Sequence, residues 1–307
     1  MLQSTHFDAI VIGGGPAGLT AGIYLSRARL RTLIISDGVP GGQMILTHEI
    51  ANYPGVESIS GYQLSNIMKK QAKNFGCEIK SNTAVVGLSL DNDIKEVTLS
   101  DGQIYASDAI ILTPGGRSRT LQVEGESQFK GRGISYCATC DAKYFVDKEA
   151  IVIGGGNSAV EESDFIAKFA SKVTIVHQFD TFTANKTAQE KVLANPKINV
   201  KFEHEPRAFR REGDKIVVVV EDLKTKESKE LVSDGAFIFI GMKPNTALFH
   251  DRLNLDKWGY IKTDEDMRTS LPDVYAVGDI ISKKYRQITT AVADGTIAAI
   301  SIARELN

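Results

Sequence analysis

The sequence predicts an α/β chain of two Rossmann-like, three-layer domains, on three observations. An apolar strand runs into a glycine turn and then a helix over residues 7–29, and the same order returns over residues 150–169. A third apolar strand, residues 273–277, ends in Gly278-Asp279. Strand, glycine turn and helix in that order are the unit from which a doubly wound sheet is built. The 307 residues, 42% hydrophobic and 24% charged, suffice for two well-filled cores. A net charge of −2 argues against nucleic acid as the main partner. No run of about 18 apolar residues occurs and no Lys/Arg-led apolar leader opens the chain, so no membrane span and a cytoplasmic location are expected.

The first unit reads Phe7-Asp8-Ala9-Ile10-Val11-Ile12, then Gly13-Gly14-Gly15-Pro16-Ala17-Gly18, then a helix from Leu19. Gly13 allows the tight turn, Gly15 lets a pyrophosphate approach the backbone, and Gly18 lets helix and strand pack closely. Glycine turns are common, but this context favours dinucleotide binding. The next strand, residues 31–35, ends at Ser36-Asp37, where a ribose-binding residue should fall. Gly41-Gly42-Gln43 follows, then Asn52-Tyr53-Pro54-Gly55. The first of these suits a loop lying on a flat cofactor ring, and equally a surface turn.

Residues 61–75 carry Leu64, Ile67, Met68, Gln71, Ala72 and Phe75 near helical spacing, an amphipathic helix. Cys77 behind it reads as a small buried hydrophobe at a strand start. Short β segments with turns at Asp91-Asn92-Asp93 and Asp101-Gly102 fill residues 79–112, and the strand ending at Thr113-Pro114-Gly115-Gly116 is a natural exit from a domain.

Cys137-Ala138-Thr139-Cys140-Asp141 comes next, after a strand-like approach and before a run that reads as the start of a helix. Two cysteines so spaced close a disulfide within one turn, and a helix N-terminus favours thiolate. A zinc site is the alternative, but it needs further ligands. Cys77 is alone, and His6, His48, His177, His204 and His250 show no ligand spacing. Redox chemistry is therefore favoured. The second glycine turn, Gly154-Gly155-Gly156-Asn157-Ser158-Ala159, has the small Ala159 in the third glycine place, as the fingerprint allows. After Gly278-Asp279, Tyr285-Arg286-Gln287-Ile288 leads into a small-residue helix over 291–305. The acid can hold sugar hydroxyls and the helix N-terminus can face an electron-rich ring; an ordinary Asp capping a turn reads the same.

Together these stretches resemble the low-molecular-weight thioredoxin reductases over nearly the whole chain. The most specific part is the CATCD run just ahead of the second glycine turn. The resemblance implies an FAD domain from residues 1–115 and 243–307, an inserted NAD(P)H-type domain from 116–242, and a homodimer. It implies that Gly13, Gly15, Pro16, Ala17, Gly18, Ser36, Asp37, Gly42, Gln43, Asn52, Gly278, Asp279, Arg286, Gln287 and Ile288 hold FAD. Gly154, Gly156, Asn157, Ser158, Ala159 and His177 would hold the nicotinamide nucleotide. Electrons would pass through FAD to the Cys137–Cys140 disulfide and on to thioredoxin or a thioredoxin-like protein. By motif position Cys140 faces the flavin and Cys137 attacks the partner. Asp141 looks like the general acid for a leaving thiolate, which needs a raised pKa; a residue satisfying helix-start N–H groups is the other reading. The family rotates one domain against the other, and Gly115-Gly116 and Gly241-Met242-Lys243-Pro244-Asn245 offer linkers for that.

One departure bears on the electron donor. NADPH-linked members carry His-Arg-Arg-x-x-x-Arg after the second nucleotide strand, whereas this chain reads His177-Gln178-Phe179-Asp180-Thr181-Phe182-Thr183. Neutral Gln178, Phe179 and Thr183 cannot make the bidentate charged contacts of arginine to a 2′-phosphate. A pyridine nucleotide is still expected, with NADH ahead of NADPH, although no acid ends the strand to hold a free 2′-hydroxyl. NADPH bound weakly through Lys186 and His177 is one alternative, and reduced ferredoxin or another flavin is a second. A flavin dithiol oxidase using oxygen is a third, and a non-enzymatic nucleotide sensor has no need of the cysteines.

Overall fold

The computed structural model describes residues 5–47 and 50–306, so His48 lies outside the described residues. The chain divides into two compact units. The first runs to Arg117 and resumes at Lys243; the second is Ser118–Met242.

In the first unit β1 (Thr5–Ile12), α1 (Pro16–Arg27), β2 (Thr32–Ser36), α2 (Gly61–Asn74) and β3 (Glu78–Ser81) wind to one side. Strands β4 (Val85–Ser89) and β5 (Lys95–Leu99) form an antiparallel arm, and β6 (Ile104–Leu112) returns to the other side of β1. Sheet order is β3-β2-β1-β6-β5-β4. The direction of winding therefore reverses between β1 and β6, and a crevice opens at the carboxyl ends of those strands. Residues 9–12 of central β1 are buried on both faces, which is why they read as an unbroken apolar run. Its Ala9 and Val11 join the core under the helices, while Ile10 and Ile12 join a second core with Leu90, Val97, Phe249 and Leu253. Helix α2 departs from expectation. Leu64, Ser65, Met68 and Ala72 face inward, whereas Ile67 and Phe75 are 52% and 43% exposed, because the stripe that meets the core is narrower than the apolar spacing suggests.

The connection out of the first unit is β7 (Gly116–Ser118). The second unit holds α3 (Glu126–Phe129), β8 (Ile134–Ser135), α4 (Ala138–Asp141), β9 (Glu149–Ile153), α5 (Asn157–Ala167), β10 (Lys172–Val176), α6 (Lys186–Leu193) and β11 (Ile198–Lys201). Strands β12 (His204–Glu212), β13 (Lys215–Asp222) and β14 (Ser228–Ser233) make an antiparallel sheet of their own, and β15 (Gly235–Ile238) rejoins the parallel one. The parallel order β11-β10-β9-β15-β8 reverses between β9 and β15, as the first unit does between β1 and β6. Alternation along β9 makes the layers. Ala150 and Val152 face a core shared with α5, and Ile151 and Ile153 face Phe209, Val218 and Val220 of the antiparallel sheet. The helix at the cysteines begins earlier than its sequence suggests: α4 opens at Ala138, and Ala142–Phe145 continues as a 3-10 turn. Returning strand β16 (Met242–Pro244) pairs with β7. Then β17 (Val274–Ala276) pairs with β6, and α7 (Ile288–Leu306) packs on α1. That packing is close, since a Cβ at Gly295 would stand 2.2 Å from the carbonyl oxygen of Ala17.

Candidate functional site

At the β1–β6 crevice three separate stretches converge on the N-terminus of α1. Gly13 has φ +119°, and a Cβ there would lie 2.2 Å from the Thr113 carbonyl oxygen at the end of β6. A Cβ at Gly18 would meet the Gly13 carbonyl at 2.0 Å. Gly15 differs, with nothing within 4 Å of its Cβ position, and no side chain caps α1. Uncapped first-turn N–H groups beside an open glycine make a cradle for an anionic group. The Gly41-Gly42 turn folds onto it: Gly41 N–H donates to Gly14 O at 2.7 Å, and a Cβ at Gly42 would be 3.1 Å from Gly15 Cα. Gly278, φ +82°, lies against Ala17 beside Pro16, its own Cβ position 3.1 Å from the Ala17 methyl.

Ser36 is buried at the end of β2, its Oγ 2.8 Å from the Cβ position of Gly14, while Asp37 and Gln43 stand exposed. Burial pushes the Asp279 carboxyl above the usual carboxylate range, against the pull of Lys283 and Arg286. Arg286 donates to the Asp279 and Ile281 carbonyls and stacks on Tyr260 at 4.1 Å. Asn52 Nδ2 donates to Gln287 Oε1 at 3.4 Å, and Ile288 packs on the core that contains α1. Sequence reasoning missed Thr113, whose hydroxyl donates to Gly13 O, and Asp294, which accepts from Gly278 N–H and from Lys283 Nζ at 2.6 Å. These residues, with the open cradle at Gly15, fit an extended dinucleotide such as FAD.

The second crevice repeats the construction. Gly154 has φ +132°, and its Cβ would meet Phe239 O, just past β15, at 2.3 Å. No side chain caps α5, and Gly156 is open except for Thr183 Oγ1 at 3.7 Å from its Cβ position. The loop after β10 is tied back over this turn. Thr183 N–H and hydroxyl both donate to Gly155 O, and Asn185 donates to Asn157 Oδ1 from its backbone N–H at 2.7 Å. Ser158 is exposed at the start of α5, and buried Ala159 packs in the core.

His177 differs from the expectation of a phosphate ligand. It is 6% exposed, because its ring packs on Gly155 where a Cβ would sit 2.4 Å away, stacks with Phe182 at 5.9 Å, and meets the edge of Phe179. Among the described residues its Nε2 has no hydrogen-bond partner, and burial holds the imidazole below its ordinary pKa. A His whose folded pKa is depressed contributes stability that is present above its unfolded value, about 6.5, and lost as pH falls through the folded one. Chemical denaturation at pH 7.5 and 5.5 should therefore show a smaller acid loss in His177→Phe than in the parent chain.

Cys137 and Cys140 form a disulfide, with S–S 2.05 Å and Cα–Cα 5.4 Å, at the opening of α4. Both are part-buried, and Cys137 Sγ lies 3.4 Å from Thr139 Oγ1. Small, buried Ala138 and Ala142 seat the turn on the α5 core. Ahead of it, Tyr136 donates to Glu126 at 2.6 Å, and this buried carboxylate also accepts the Leu121 and Gln122 N–H groups. Burial, and after it the neighbouring Glu126 carboxylate, push the Tyr136 phenol well up. Asp141 is part-buried and is joined to Ser135, which no motif had marked, at 2.5 Å. Cys77 is buried apart from this, its thiol pushed up to about 12 by burial. Among the described residues no His/Cys/Asp/Glu group could hold a metal ion, and no helix is long and apolar enough to cross a membrane.

The family model described as pyridine nucleotide-disulphide oxidoreductase matches residues 7–295. A Clostridium pasteurianum chain described as a 34.2 kDa protein in rubredoxin operon is 41% identical, over 98% of this chain and 97% of that one. Thioredoxin reductase of Bacillus subtilis is also 41% identical, over 98% and 95%. The crystal structure of thioredoxin reductase from Streptococcus pyogenes superposes with a TM-score of 0.92 at 39% identity, covering 99% of each chain.

Proposed function

From the membership of this chain in the pyridine nucleotide-disulphide oxidoreductases, among its thioredoxin reductase members, we propose that it is an FAD-dependent thioredoxin-disulfide reductase driven by a pyridine nucleotide. The observation that carries this reading is the Cys137–Cys140 disulfide at the opening of α4, in a unit that also has an open glycine cradle. FAD, held by the first cradle with Gly278 and Asp279, supplies two-electron chemistry between nicotinamide and disulfide. The uncapped end of α5 orients the nucleotide pyrophosphate, with Gly154, Gly156, Asn157, Ser158 and Ala159 around it. Cys137 attacks the disulfide of a thioredoxin-like protein, Cys140 resolves the mixed disulfide, and Asp141 delivers a proton to the leaving sulfur. A homodimer in the cytoplasm is part of this reading.

NADH is favoured over NADPH. No guanidinium follows β10, and His177 is buried against Gly155. A second reading, in which reduced ferredoxin is the donor, draws on the same missing arginines. Anaerobic stopped-flow mixing of the oxidised flavoprotein with NADH and with NADPH tests both. Fast bleaching is expected with NADH, at an apparent affinity at least equal to that for NADPH. Absence of bleaching with either nucleotide would overturn the nucleotide-driven reading and leave ferredoxin as the donor to add.

A further inference from the structure

Ser135 ends β8, two residues before the redox pair, and its Oγ has three polar neighbours. Asp141 Oδ2 is at 2.5 Å, Cys137 N at 3.1 Å and Cys137 O at 3.3 Å. A hydroxyl has one hydrogen and two lone pairs. The Cys137 N–H occupies one lone pair throughout. The single hydrogen then has two acceptors within reach, the Asp141 carboxylate and the Cys137 carbonyl, and serves one at a time.

Resting on the disulfide-reductase reading above, we propose that Ser135 is a positioning residue for Asp141 that keeps the carboxyl in place through both of its protonation states. With Asp141 ionised, the Ser135 hydrogen points to Oδ2, and such charge-assisted bonds are short and strong. With Asp141 protonated, its own O–H donates to Ser135 Oγ, and the serine hydrogen turns to Cys137 O. One O–H···O bond spans the pair in either state. The mount is firm, since Ser135 pairs with Phe237, Ile134 beside it is 1% exposed, and Tyr136 is anchored on Glu126.

The Cys137 thiolate forms a bond to one partner sulfur, the partner S–S bond breaks, and the other partner sulfur leaves with the electron pair and takes the Asp141 proton. Cys140 sulfur then bonds to Cys137 sulfur, its proton passes to Asp141, and the mixed disulfide breaks with the second partner sulfur leaving as a thiolate. Two electrons and one proton pass from the enzyme thiol–thiolate pair to the partner disulfide, which ends as one thiol and one thiolate.

The test uses the holoenzyme reduced with dithiothreitol, freed of it, and mixed with oxidised thioredoxin, so that the identity of the donor does not enter. Ser135→Ala is expected to slow exchange about tenfold, roughly the worth of one hydrogen bond to a charged group, and less than the roughly hundredfold or more that loss of the acid itself would bring. Ser135→Thr, which keeps the hydroxyl, should restore it to within about threefold of the parent, and Ser135→Ala in an Asp141→Asn background should slow it no further. A role only in shaping the turn would instead give additive losses. Additivity, or an unimpaired Ser135→Ala enzyme, would overturn the proposal. Exchange that persists in Cys137→Ser would overturn the reductase reading itself.

Discussion

Serine at either Cys137 or Cys140 is expected to cut thioredoxin turnover at least about 10⁴-fold, and serine at both is expected to cut it no further. The two sulfurs act as one device, so removing either removes all of it. A serine oxygen cannot close a disulfide with the remaining cysteine, and no two-electron store is left at the opening of α4. Folding should be spared, because Ala138 and Ala142 seat the turn and serine is close to cysteine in volume. Nucleotide-driven bleaching of the flavin should continue in all three variants, since the glycine cradles are untouched. The measurement is steady-state reduction of thioredoxin beside anaerobic bleaching. Turnover surviving in the double variant at more than about one hundredth of the parent rate would sink the assignment of the cysteines as the electron path.

The second large effect is a gain. Gln178, Phe179 and Thr183 are exposed, so arginines at all three positions meet no burial cost. Thr183 holds Gly155 O through its backbone N–H as well as its hydroxyl, so the loop keeps that tie and the one from Asn185 to Asn157 after substitution. Each charge-assisted contact to a 2′-phosphate contributes roughly 1.5–3 kcal/mol. The triple variant Gln178→Arg, Phe179→Arg, Thr183→Arg should thus shift preference toward NADPH by on the order of 10²-fold or more. Competing titrations with NADPH and NADH read the ratio directly. A ratio that stays within about twofold of the parent means that the loop after β10 does not meet the 2′ position.

How far the chain could be read from its residues depended on the physics of each feature. Gly13, Gly18 and Gly154 were legible because a backbone carbonyl stands where a Cβ would be, and only a sequence constraint records such a contact. Gly278 was legible for its place at a strand end. Thr113 and Asp294 were not, because their hydrogen bonds go to residues that only the folded backbone brings near: Thr113 reaches Gly13, and Asp294 reaches Lys283; Ser135 bonds within its own turn, to Cys137 and Asp141, but a serine there carries no motif of its own. His177 was placed by motif position, yet nothing in its neighbours' identities says that Phe179 and Phe182 turn the imidazole inward. The apolar spacing of Ile67 and Phe75 likewise carries no record of how wide a stripe of α2 the core covers.

The two carbonyls that close the glycine turns also set an order of assembly. Phe239 O reaches Gly154 from within the second unit, so that turn has its wall as soon as the chain has been made through residue 242. The first turn gets Thr113 early but waits for Gly278 and Gly295 to come down on Ala17 from the far end of the chain. On a ribosome the inserted unit can therefore mature while its host is still open. The host's cradle is the last part of the protein to become competent, and a chain cut short before α7 would carry a finished cysteine pair beside an unfinished first glycine turn.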